Sequence, residues 1–141
     1  MATASIDTTS ARGTHAAQRL REEIIAWFTT VRSSGQPDTV PVWFLWDGAT
    51  VLIYSQPEQG KLRNIARNPR VSLVLDNTHG GGDVVRIEGT AEVVTGHPLA
   101  TDLPDYIAKY ADGIQRIGHD PSGFAKLYSV TIRVTPTRIH Y

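Results

Sequence analysis

Apolar residues in this chain come mostly in short runs bounded by glycine, proline or asparagine, the texture of antiparallel strands; a smaller set recurs at helical spacing. After a polar start, Thr14 is placed to cap a helix running to about Ile25, with Leu20, Ile24 and Ile25 inward and Arg19, Arg21, Glu22 and Glu23 in solvent. "AWFTTV" is β-branched and aromatic and meets a turn at Gly35 and Pro37. "TVPVWFLW" returns as one second strand, with Pro41 near an edge or a bulge, and Asp47-Gly48 turns the chain tightly into "ATVLIYS", giving a meander. Gln56-Pro57 ends that strand. A short helix follows from Pro57 to about Arg67, with Leu62, Ile65 and Ala66 as its apolar side and Asn68-Pro69 as its stop. "RVSLVLD" and "VVRIEGTAEVV" are the fourth and fifth strands, joined by the loose "NTHGGGD" loop, and Gly89 marks a bulge. Residues 97–118 read as helical with Ile107 and Tyr110 inward, "PSGFAKLY" as one more short helical turn, and "SVTIRVTPTRIHY" as a closing strand that alternates Val130, Ile132 and Val134 against Thr131 and Arg133. Many short antiparallel strands decorated by helices predict a mainly β, α+β fold: an antiparallel barrel of six or more strands with flanking short helices.

Composition changes this picture little but narrows the chemistry. At 141 residues the chain is read as a flexible tail over residues 1–13 and a single domain over 14–141. Lys+Arg and Asp+Glu are both 14, so no net positive charge draws the chain to nucleic acid or an anionic membrane. With no apolar run long enough to span a bilayer and no secretory leader, the expectation is a cytoplasmic protein. Cysteine is absent and the five histidines (His15, His79, His97, His119, His140) are scattered singly, so no metal site is expected. The "GGG" at Gly80 to Gly82 joins two strands, so it is neither a Rossmann nor a P-loop signal, and there is no Gly-x-Ser-x-Gly elbow.

The order of signals between Thr39 and Val94 is more specific than any one of them: a Pro-Val-Trp-Phe strand, a Tyr-Ser strand end, a Lys-x-x-Asn-Ile helix, an Asn-Pro-Arg-Val strand and a Glu-Gly-Thr-Ala strand. In this order, with the closing "TPTRIHY", the chain resembles the FMN-binding split β-barrel family of pyridoxamine 5′-phosphate oxidase-like flavoproteins. More narrowly, it resembles the actinobacterial branch that uses the deazaflavin coenzyme F420. The resemblance implies that Lys61 and Ser55 hold the cofactor phosphate and that Tyr54 and Gln56 flank the cofactor's side chain. It also implies that the loop around Asn77 to Gly82 covers the cofactor, and that two chains form a homodimer with cofactor sites at the subunit interface. Physical chemistry is consistent with this. Lys61 supplies a compact cation, the start of its helix supplies free N–H groups, and an extended edge through Val42, Trp43 and Phe44 supplies a flat apolar wall for the ring.

Where true pyridoxamine phosphate oxidases place an arginine beside the lysine, this chain has Gly60, and it ends at Tyr141 without their substrate-holding C-terminal segment. Vitamin B6 oxidation is therefore not expected, and the resemblance to the deazaflavin branch implies hydride transfer between reduced F420 and a small organic substrate. An FMN-dependent oxidoreductase of the same fold and a non-enzymatic F420, FMN or haem binder, with His79 or His140 as axial ligand, are the alternatives. A catalytic acid is not assigned; Tyr110, Tyr128 and solvent are the options. Arg63, Arg67 and Arg70 are read equally as a wet helix face or as steering groups for an acidic coenzyme tail.

Overall fold

A computed structural model of the chain describes residues 3–141. It contains four helices and seven strands: α1 (Ala11–Glu22), β1 (Ala26–Val31), β2 (Pro37–Val42), β3 (Leu45–Trp46), β4 (Val51–Ser55), α2 (Gly60–Arg67), β5 (Arg70–Leu75), β6 (Arg86–Val94), α3 (Pro104–Arg116), α4 (Pro121–Leu127) and β7 (Val130–His140). All strand pairs are antiparallel, in the order β2-β1-β5-β6-β7-β4-β3. Among the described residues no helix is long and apolar enough to cross a membrane.

That strand order forces the sheet to curl. β2 and β3 lie at opposite edges, yet Val42 and Leu45 are three residues apart, a reach of at most about 11 Å. Laid flat, seven strands would hold those edges about 29 Å apart. The sheet therefore closes on itself as a split barrel. Its interior is filled by alternate residues of the strands, among them Phe28, Val51, Ile53, Leu73, Ile87, Ile132 and Val134, and Leu20 of α1 plugs one end. β4 is buried along its whole length because Val51 and Ile53 face this interior while Tyr54 joins a second, aromatic core beneath α3 and α4. The bulge expected at Gly89 lies across from it: Glu88 pairs with Arg138 and Gly89 with Pro136, so the extra residue is Thr137 of β7, and Gly89 is needed because a β-carbon there would lie 2.4 Å from the carbonyl oxygen of Thr135.

Closure also explains the clearest departure from the sequence reading. "TVPVWFLW" is two strands, broken at Trp43-Phe44 as the chain passes from one sheet edge to the other. The backbone groups that leave the ladder are taken up by α3. The Phe44 N–H donates to the Tyr110 hydroxyl at 2.9 Å, the Phe44 carbonyl accepts from Lys109 Nζ at 2.9 Å, and the Tyr110 hydroxyl donates to the Ile24 carbonyl at 2.7 Å. Lys109 Nζ also stands 3.8 Å above the Phe44 ring.

Loss of solvent pulls the Lys109 pKa down to about 8, against the raising pull of Glu23. Between about pH 8 and the ordinary lysine value of 10.5 the folded chain gives up this proton while the unfolded chain keeps it, so stability rises with pH there. Lys61, also lowered by loss of solvent, contributes with the same sign. The buried phenols of Tyr54, Tyr106 and Tyr110 are held above their ordinary value of 10.0, and they reverse the trend once unfolded tyrosines ionise. Melting temperature should therefore climb from about pH 8 to about pH 10, and Lys109→Met should make that climb shallower. An equal slope in the variant would show that Lys109 does not lose its proton in this window.

Several local expectations are corrected. Ser10, not Thr14, caps α1, its hydroxyl accepting from the Gly13 N–H at 3.0 Å, and the helix stops at Glu22. The segment read as a tail is anchored where it is described: the Ala4 N–H donates to the Pro136 carbonyl and the Asp7 N–H to the Tyr141 hydroxyl. Its first two residues lie outside the described residues. Arg19 is buried rather than wet because its guanidinium donates to the carbonyls of Asn77 and Asp83 and pairs with Glu23, tying α1 to the glycine loop, while Ile24 is exposed. On α2 the buried residues are Asn64 and Ile65, and Ala66 faces solvent; Asn64 donates to the Thr30 hydroxyl at 2.9 Å. On α3 it is Tyr106, with Tyr110 and Ile114, that is fully buried, and Ile107 is half-buried. Thr131, expected on the wet side of the closing strand, is buried.

Candidate functional site

Outside the barrel, between its wall and the helices that follow β6, lies a cavity of about 260 Å³. Pro41, Val42 and Trp43 line it from the end of β2 and the break after it, Tyr54 from β4, Lys61 from α2, and Tyr106, Ile117, Phe124 and Tyr128 from the helical segment. The helical segment leaves the sheet after Val94 and returns at Val130, and Val94 and Thr131 are themselves partners in the β6–β7 ladder. The site thus has one wall on the sheet and one on an insertion.

The insertion wall is aromatic and its rings are layered. Trp43 stacks on Tyr110 with centroids 4.7 Å apart and planes 11° off parallel, and lies 5.6 Å from Phe124. Phe124 stacks on Tyr128 at 4.4 Å, and Tyr106 meets Tyr54 edge-on at 4.9 Å. Gly113 of α3 makes room for the indole, since a β-carbon there would sit 3.1 Å from its ring. At about 260 Å³ the space is below the range of pockets that swallow a whole cofactor, about 300–1,000 Å³, so it fits a ring or a head group with the rest of the ligand outside.

Lys61 is the cation of this cavity. It is half-buried, none of the other lining residues carries a charge, and among the described residues it forms no ion pair. Loss of solvent lowers its pKa from the ordinary lysine value, the signature of a charge placed without its counter-ion. It sits in the first turn of α2, which no side chain caps and which carries no acidic residue, so the helix start presents free N–H groups beside the ammonium. The chain enters that turn through Glu58 in the left-handed conformation, φ 65°, with the Glu58 carbonyl held by Arg63 at 3.0 Å.

Of the residues expected from sequence, Val42, Trp43, Tyr54 and Lys61 are brought together here. The others lie elsewhere. Phe44 points into the barrel interior and is fully buried, because consecutive residues at the break face opposite sides of the wall. The Ser55 hydroxyl is buried and donates to the Gln56 carbonyl at 2.8 Å, and neither residue lines the cavity. Asn77 and Gly82 lie by α1: the Asn77 carbonyl is held by Arg19, and Gly82 borders a separate groove with Arg12, His15 and Arg86. Tyr110 has its hydroxyl committed to the strand break, whereas Tyr128 does line the cavity. Tyr106, Ile117 and Phe124 also line the cavity; the sequence reading gives pocket walls to the stretch Asp102 to Phe124 without singling these residues out. The one available signal was the spacing of Tyr106, Tyr110 and Ile114 on a single face of α3.

The family model for pyridoxamine 5′-phosphate oxidase matches residues 14–141. Among solved structures, an F420 reductase is similar at 26% identity and a TM-score of 0.63, over 87% of this chain and 94% of that one. An FAD-binding protein from Mesorhizobium loti aligns at 19% identity and a TM-score of 0.65, over 89% and 88% of the two chains. HutZ, the haem storage protein from Vibrio cholerae, aligns at 18% identity and a TM-score of 0.63, over 90% and 92%. The last two likenesses concern the fold alone. No curated protein matches.

Proposed function

Because the chain belongs to the pyridoxamine 5′-phosphate oxidase family, we propose that its cavity is the head-group site of a flavin-type coenzyme and that the protein is an F420-dependent oxidoreductase of the cytoplasm. The observation that carries this reading is Lys61: a half-buried cation with no carboxylate, at the uncapped start of a helix, facing an aromatic cavity. A phosphate there receives both the ammonium and the helix N–H groups. The F420 reductase among the similar structures, at the highest identity of the three, supports the deazaflavin over FMN. The similar haem storage protein weighs less, because the cavity's lining carries no imidazole and His79 and His140 lie away from it.

When bound, the deazaflavin supplies the hydride chemistry. The protein's residues do the rest. Trp43 presents the face against which a ring is laid, with Val42 at the cavity edge and its side chain in the barrel core, Lys61 fixes the anionic end, and Phe124 and Tyr128 keep water from the ring. In this reading two chains pack as a homodimer, and the Asn77 to Gly82 loop, remote from Lys61 within one chain, completes the site of the other. Size-exclusion chromatography with light scattering tests that arrangement, and a monomer with full coenzyme affinity refutes it.

The coenzyme assignment is tested by titrating the purified protein with F420 and with FMN at matched ionic strength, read by fluorescence. F420 binding tighter than FMN is the expected result. The reverse order moves the protein to FMN-dependent chemistry on the same fold, and no binding to either removes the coenzyme reading.

A further inference from the structure

Tyr106 has no exposed surface, and its hydroxyl is the one buried side-chain polar atom among the described residues without a hydrogen-bond partner. The tyrosines around it show the contrast. Tyr54 donates to the Pro98 carbonyl at 2.9 Å, and Tyr110 donates to Ile24 and accepts from Phe44. Burying a phenol with nothing to bond is unfavourable, and phenylalanine would fill the same space without that penalty. Tyr106 is one of the residues lining the cavity that also holds Lys61, while its hydroxyl is covered in the ligand-free chain. Burial and the neighbouring phenols of Tyr110, Tyr54 and Tyr128 push the Tyr106 pKa well above the ordinary tyrosine value, so at neutral pH the group carries its proton and serves as a donor, not a base.

We propose that the Tyr106 hydroxyl, uncovered by a small shift of the aromatic wall as a ligand enters, is the specificity-determining hydrogen-bond donor of this cavity, pairing with an acceptor oxygen on the edge of a flat ring that rests against Trp43, Phe124 and Tyr128. The proposal rests on the reading of the cavity as a ring site and adds which ligands it accepts: planar rings bearing a carbonyl-type oxygen, with Lys61 taking an anionic group where the ligand has one. A ring without the oxygen leaves the phenol unpaired and is discriminated against.

Tyr106→Phe removes one oxygen and no packing. In the ligand-free protein its melting temperature should equal or exceed that of the parent, because an unpaired buried polar group is lost. Affinity for F420, FMN and lumiflavin, the flavin ring without its phosphate chain, should each fall about tenfold or more. Lys61→Ala, titrated in parallel, should weaken F420 and FMN but not lumiflavin. If Tyr106→Phe binds all three ligands as the parent does while Lys61→Ala loses the coenzymes, the proposal is overturned and the coenzyme reading stands. If Tyr106→Phe weakens lumiflavin while Lys61→Ala leaves every affinity unchanged, the phosphate seat fails and the Tyr106 donor is upheld. A lower melting temperature in Tyr106→Phe overturns the proposal, since the hydroxyl then serves the fold, and absence of binding by the parent protein to any of the three overturns both.

Discussion

Lys61→Ala is expected to weaken binding of the proposed coenzyme by about 1.5–3 kcal/mol, roughly tenfold to more than a hundredfold in Kd, the range for a hydrogen bond to a charged group. In the proposed reading the loss comes from the phosphate, because no carboxylate among the described residues pairs with Lys61 to be stranded in the variant. For the same reason the ligand-free variant keeps its stability: removing a desolvated cation without a partner costs no ion pair. Affinity of the parent protein should also fall on the alkaline side, at a pH below the ordinary lysine value, as Lys61 gives up its proton. Fluorescence titration of parent and variant at one ionic strength checks the magnitude, and equal Kd values would return Lys61 to the role of a surface residue.

Tyr110→Phe acts on the fold with a comparable magnitude. The strand break at Trp43-Phe44 is imposed by barrel closure, and the Tyr110 hydroxyl is what receives the Phe44 N–H inside the protein while bonding the Ile24 carbonyl. Deleting that oxygen leaves a buried N–H without an acceptor and frees the end of the α1–β1 connection, for a loss of about 2–3 kcal/mol. Lys109 still holds the Phe44 carbonyl, so the variant should fold. Urea denaturation measures the difference. A change below about 0.5 kcal/mol would mean that the break is held by ring stacking and not by the hydroxyl.

These two residues also show what was legible in the sequence. β4 and β6 announce themselves because each is an apolar or alternating run that stops at a turn residue, β7 does so by its alternation, and the glycine inside β6 marked the irregularity whose extra residue, Thr137, lies on β7. The break at Trp43-Phe44 was not, because no glycine or proline interrupts "VWFLW" there; its cause is the distance between sheet edges, which belongs to the whole barrel. Arg19 and Asn64 look like solvent-facing residues until the carbonyls and the hydroxyl that receive them are in place. Lys61, Tyr54, Val42 and Trp43, which the family resemblance and the reading of the edge strand name, line one cavity. The sequence put Trp43 and Phe44 on opposite faces without deciding which was inward; the structure turns Phe44 into the barrel core and Trp43 toward the cavity. Tyr106 carried no signal as a donor, since a tyrosine one turn from another on an amphipathic helix reads as packing.

Placing the aromatic wall on a segment that departs from and rejoins one ladder gives the protein a division of labour over evolutionary time. Val94 and Thr131 stay paired whatever lies between them, so residues in α3 and α4 that do not brace the strand break can be exchanged, shortened or repacked with the sheet register intact. If the cavity is the ring site proposed above, changes in this segment re-shape which rings it admits while the lysine on α2 is still presented by the barrel side. New specificities are thereby reached by editing one peripheral excursion, under weaker constraint than the strands that carry it.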